Sequence, residues 1–241
     1  SAMRFVKKVI AWSIENELFT LHLNALDLEW LLWQYLQKEE RRTIDIIAAE
    51  RADSIQKISI TDQLREIDIR VIQLFQETGI GREDAHLEKY RQLFDQSLLL
   101  AKEDENLSLR AKMYAKNISV FYYNVCGDAE KSLEALQELI QLLDSNKMLK
   151  RERLSFYLSS LNNLILLQLH LRKFEEAKST ISLLESTNPE TQSQRNTVFV
   201  TRYNTGFDLC NYTGDFDGAY QLSLHLKKEI LEYGDKIDNR Y

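Results

Sequence analysis

Only seven glycines and one proline punctuate this chain of 241 residues. A sheet protein needs turn residues at intervals of about 8–12 positions, and this sequence cannot supply them. Helices run long without breaks and lose stability wherever Gly or Pro enters their interior. The scarcity of breakers therefore predicts an all-α fold. Hydrophobic residues are 44% of the chain and charged residues 28%, enough apolar surface for a core and unlike a disordered segment.

Apolar spacing places the helices, about nine to eleven in all. The first is expected over 4–14, ending at Glu15-Asn16-Glu17. The second, from Leu18, is apolar on two faces: Leu18, Leu21, Leu28, Leu32 and Tyr35, then Phe19, Leu23, Leu26, Trp30 and Trp33. Burial on both sides is what a stacked array requires, and a continuation through 37–42 into 43–58 stays open. Ser59-Ile60-Thr61-Asp62 reads as a turn with Thr61 as N-cap, which would make 43–78 an antiparallel hairpin. A coiled-coil contact with a second chain would give the same spacing there. Gly79-Ile80-Gly81 closes that segment, and another helix is expected over 83–103.

The net charge of −6 is spread evenly, with basic residues interleaved among acids as in Glu39-Glu40-Arg41-Arg42. No basic face is available to neutralise phosphates, so nucleic acid is not an expected partner. The most apolar stretch, Leu18 to Leu36, carries His22, Asp27 and Glu29, which argues against a membrane span. Two dispersed cysteines, Cys126 and Cys210, suit a reducing compartment, and the expected location is cytoplasmic. Ser1-Ala2 ahead of Met3 looks like a cloning remnant, and the abrupt ends suggest a piece of a longer protein.

From residue 107 the pattern repeats. Tyr123–Ala129 with Ser132, Gln168–Phe174 with Ala177, and Cys210–Phe216 with Ala219 align without gaps. The small residues Ser132, Ala177 and Ala219 are 45 and 42 positions apart. Each copy has a long helix, a tight turn at Gly127, Arg172 or Gly214, and a small residue that lets paired helices approach. Leu161-Asn162-Asn163-Leu164, then Arg172-Lys173-Phe174-Glu175-Glu176-Ala177, closing at Pro189, resembles the tetratricopeptide repeat family. Gly214-Asp215-Phe216-Asp217-Gly218-Ala219 and Gly127-Asp128-Ala129 are weaker copies. The resemblance covers about 107–233 with helices longer than the family's, while 4–103 matches only as helical pairs. It implies an α-solenoid of antiparallel helix pairs: pairs over 4–103 with the 43–78 hairpin, three repeats over 107–235, in one continuous solenoid. It also implies a concave face that binds a peptide or protein segment, as a scaffold does.

Ten residues before each turn position stands asparagine: Asn117, Asn162 and Asn204. In the family this part of the first helix faces the concave groove. An amide ladder there offers donors and acceptors to an extended backbone without reading its sequence. Neighbours expected in that groove include Tyr114, Phe121 and Asn124, then Asn163 and Leu166, then Asp208 and Asn211. A polar residue bonding a neighbouring helix would give the same pattern. Some family members grip a C-terminal carboxylate with Lys, Asn and Arg, but the matching positions here include Thr201 and Thr205, and the cations are missing.

Catalysis has no comparable signal. His22, His86, His170 and His225 fall on four different helices without metal-ligand spacing, and read as surface or boundary histidines. Trp12, Trp30 and Trp33 read as core. No phosphate loop or nucleophile motif is present, so neither an enzyme nor a metal or cofactor is expected. The alternative to a peptide-binding scaffold is an oligomerising segment of a larger signalling protein, self-associating through helices 43–78.

Overall fold

A computed structural model describes residues 2–33, 35, 42–79, 84–102 and 107–233. Among them every regular element is helical, in eleven helices, and no helix is long and apolar enough to cross a membrane. The proposed continuation through 37–42, the residues after Gly79 in the first glycine turn, and the repeat boundary at 235 lie outside or at the edge of the described residues.

The chain groups into two compact units, Ser1–Cys126 and Gly127–Tyr241. The first holds α1 (Ala2–Glu15), α2 (Phe19–Trp33), α3 (Ile44–Thr78), α4 (Asp84–Lys102) and α5 (Leu109–Val125). The division falls inside the segment assigned to the first repeat, because α5 packs on α3 and α4. Helices α1 and α2 form a hairpin closed at Glu17, whose φ of 52° lets Leu18 N–H reach the Ser13 carbonyl at 2.8 Å. Val6 and Ile10 of α1, Ala25 and Leu26 of α2, and Ile47 of α3 form the core there.

The expected hairpin at 59–62 does not exist: α3 is one helix of 35 residues. Thr61 does not cap a new helix. Its hydroxyl donates back to the Lys57 carbonyl at 2.6 Å, one turn earlier. Ile60 is buried, and the inward stripe continues through Leu64, Ile67 and Val71. No glycine or proline opposes it, and Gly79, with φ of 61°, ends the helix. Of the apolar positions expected to drive self-association through 43–78, Ile47, Leu64, Ile67 and Val71 are buried inside the unit, whereas Ile44 and Ile55 stay exposed.

The second unit holds α6 (Ala129–Ser145), α7 (Lys147–Glu152), α8 (Leu154–His170), α9 (Phe174–Glu185), α10 (Gln192–Thr213) and α11 (Phe216–Tyr233). Each repeat turn has the conformation its alignment predicted: φ is 75° at Gly127, 58° at Arg172 and 72° at Gly214. Lys173 N–H reaches the Gln168 carbonyl at 2.8 Å and Asp215 N–H the Cys210 carbonyl at 2.9 Å. Both turns thereby satisfy the carbonyls left over at a helix end. Asp128 caps α6 by accepting from Lys131 N–H, and Thr191 with Gln194 forms a reciprocal capping box on α10. Ser132 and Ala177 are buried as expected, but Ala219 is only half-buried. Among the described helices of this unit α11 packs chiefly on α10, so its small residue is less enclosed.

Candidate interaction face

In the second unit α8 and α10 lie side by side, both resting on α9. They run in the same direction, because their first turns meet where Gln194 Nε2 donates to Ser155 Oγ at 3.3 Å. Gln168 of α8 accepts from the Thr180 hydroxyl of α9 at 2.9 Å, and Arg202 of α10 pairs with Glu185 of α9 at 2.8 Å. These contacts fix which way each helix faces.

With α9 on the inner side, the other side of α8 presents Ser155, Ser159, Asn163, Leu166 and His170, with Asn162 half-buried beside them. That stripe steps by three or four residues, one line along a helix. The matching line on α10 runs through Ser193, Thr197, Asn204, Asp208 and Asn211. Asn163, Asn204 and Asn211 are exposed, and among the described residues no hydrogen bond occupies the side-chain amides of these three or of Asn162. Each such amide holds two donors and an acceptor ready for a ligand. Asp208 adds a carboxylate and Leu166 an apolar contact on the same surface.

In the first unit the expected face is closed. Asn117 is 7% exposed, and its amide donates to the Asp68 carboxylate of α3 at 2.6 Å. Here α3 and α5 run side by side in one direction, joined at Thr61–Ser108 (2.9 Å), Asp68–Asn117, and an edge-to-face Phe75–Phe121 contact of 5.3 Å. Three positions placed in the groove are therefore internal: Asn117, Phe121 against Phe75, and the buried Tyr114. Asn124 is half-buried on the last turn of α5. Burial pushes the Asp68 carboxyl up to about 6, against the opposing pull of the Asn117 amide. The signal that could have found this pair is Asp68 itself, an acid lying within the apolar line of Leu64, Ile67 and Val71.

Other polar groups are also engaged inside the first unit. His22, expected at a surface or boundary, is buried on α2, with Nε2 3.7 Å from the Glu50 carboxylate. Burial lowers its pKa, and Glu50 partly offsets that. Arg42 bridges Glu29 and Glu50, pinning α2 to the start of α3. No group of three or more His, Cys, Asp or Glu among the described residues is placed to hold a metal ion. A groove of about 410 Å³ between α3 and α4 is lined by Arg70, Gln73, Glu77, Lys89, Gln92 and Gln96. Trp12 and Trp30 are half exposed instead of belonging to the core.

Compared with known proteins, the chain matches no family model, no curated protein and no solved structure.

Proposed function

We propose that this chain is a tetratricopeptide-like helical-repeat module that binds an extended protein segment on the α8–α10 face of its second unit. One observation carries the reading: four asparagine amides with no partner among the described residues lie on the outward lines of two parallel, adjacent helices. Free amides suit an extended backbone, which offers an alternating donor and acceptor every residue. Neighbouring helix axes stand roughly 8–10 Å apart, and an extended chain rises about 3.3 Å per residue. A peptide crossing from α8 to α10 would thus meet an amide every two or three residues. Leu166 and Asp208 would supply what side-chain preference there is. The module performs no chemistry in this reading and takes no cofactor. Two free thiols, Cys126 and Cys210, suit a cytoplasmic setting.

Selection of phage-displayed random dodecapeptides on the whole chain tests this. Enriched clones should share an extended, proline-poor character more than a fixed motif, and should lose capture by the Asn162→Ala/Asn163→Ala/Asn204→Ala/Asn211→Ala variant. Clones that hold this variant as well as the parent would remove the assignment.

A further inference from the structure

The inward face of α2 is fully committed: His22, Ala25, Leu26 and Glu29 are buried, and Arg42 ties Glu29 to Glu50 of α3. The outward face is not. Leu21, Leu28 and Leu31 are 38%, 51% and 61% exposed, and Tyr35, just past the helix end, is 79% exposed. With Asn24 they step 21, 24, 28, 31, 35, alternating three and four residues. That spacing draws one line along the helix, and its large apolar side chains suit a two-helix seam better than a solvated face. The sequence suggested that this second apolar face would be covered, but no described helix covers it.

We propose that the outward line of α2 is a homodimer interface, in which α2 pairs with the same helix of a second copy, parallel and in register, about a two-fold axis along the helix. A seam with one line of contacts per helix is self-complementary under such an axis, so a single surface serves both partners. Asn24 selects the direction. Parallel pairing sets Asn24 opposite its counterpart, where two amides can each donate and accept. Antiparallel pairing of this spacing would set Asn24 against Leu28 or, in the shifted register, against Tyr35, and in neither case would the two amides meet, which makes burying them costly. Among the described residues the amide of Asn24 has no partner, which leaves it open to that role. The four large side chains expose roughly 100 Å² apiece, or about 800–900 Å² for the pair. Specific interfaces begin near 1,000 Å², so the dimer should be weak and concentration-dependent. The interface lies wholly in the first unit and does not depend on the peptide-binding reading.

Sedimentation velocity on the whole chain from about 1 to 200 µM tests it. The mass should climb from one chain towards two across that range, and Leu28→Glu/Leu31→Glu should hold it at one with an unchanged thermal melt. Should that variant unfold, Leu28→Cys in a Cys126→Ser/Cys210→Ser background provides the second test. It should cross-link to itself on mild oxidation, faster than it does to an Asn24→Cys chain in the same background. A monomer at every concentration, or a dimer indifferent to the glutamates, would overturn the interface. Preferential joining of the Leu28→Cys and Asn24→Cys chains would overturn its direction.

Discussion

Arg172 holds a backbone conformation that glycine adopts freely and other L-residues adopt at a cost. With φ of 58° it occupies the place that Gly127 and Gly214 fill in the sister turns. Arg172→Gly should therefore stabilise the chain by about 0.5–1 kcal/mol, the relief of strain exceeding the added freedom of the unfolded state. A melting temperature raised by about 2–4 °C would agree, and a lowered one would mean that the arginine side chain contributes more than its backbone costs. Asp68 is the second residue with a readable energy. Its carboxyl is raised to about 6 in the folded chain, so the folded state holds that proton more tightly than the unfolded state does. The resulting cost is absent below about pH 4, grows between pH 4 and 6, and is constant above, on the order of 3 kcal/mol. Asp68→Asn should remove this slope and raise stability at pH 7, measured by urea unfolding at pH 4 and pH 7. Equal effects of the substitution at both values would contradict the assignment. The same pair shows why one rung of the asparagine ladder could not be located from sequence. Repeat position fixes which way Asn117 points along its own helix, but Asp68 belongs to a helix outside the repeats. Among the described residues Asn162 and Asn204 meet no such acid.

At the scale of elements, turns were legible where backbone geometry narrows the choice of residue, and helix continuity was not. Gly127 and Gly214 marked left-handed turns directly, and Arg172 was placed by alignment alone. Ser59 to Asp62 carries residues that cap helices well, yet the same hydroxyls can bond back one turn and leave a helix intact. Without a glycine or proline, burial of Ile60 and Leu64 decided the matter. Thr61→Pro separates the two readings: within a continuous α3 it should cost about 3 kcal/mol or more, whereas a true turn would accept it with little change in urea midpoint. Packing separates the small residues too. Ala177, fully buried between helices, should lose about 1–3 kcal/mol when replaced by Leu. Ala219→Leu, on half-open α11, should cost far less. Comparable losses in the two melts would mean that α11 is covered as tightly as α9.

For the whole molecule, the all-helical class was readable from the shortage of breakers, because helices alone can dispense with them. The proposed interaction face was readable only in part, since helical periodicity says which residues share a face but not which faces remain open. The second unit leaves α8 and α10 with unoccupied amides, and the first unit closes the corresponding surface with Asp68, Phe75 and Phe121. The central claim is that the open face grips backbone more than side chains. Calorimetric titration of a selected peptide against its singly N-methylated versions tests this most directly. Each methyl removes one backbone donor and leaves every side chain in place. At the residues that cross α8 and α10, N-methylation should weaken binding by about 0.5–1.5 kcal/mol, while alanine replacement of the side chains there changes little. Affinity that ignores N-methylation but collapses on alanine replacement would contradict the account.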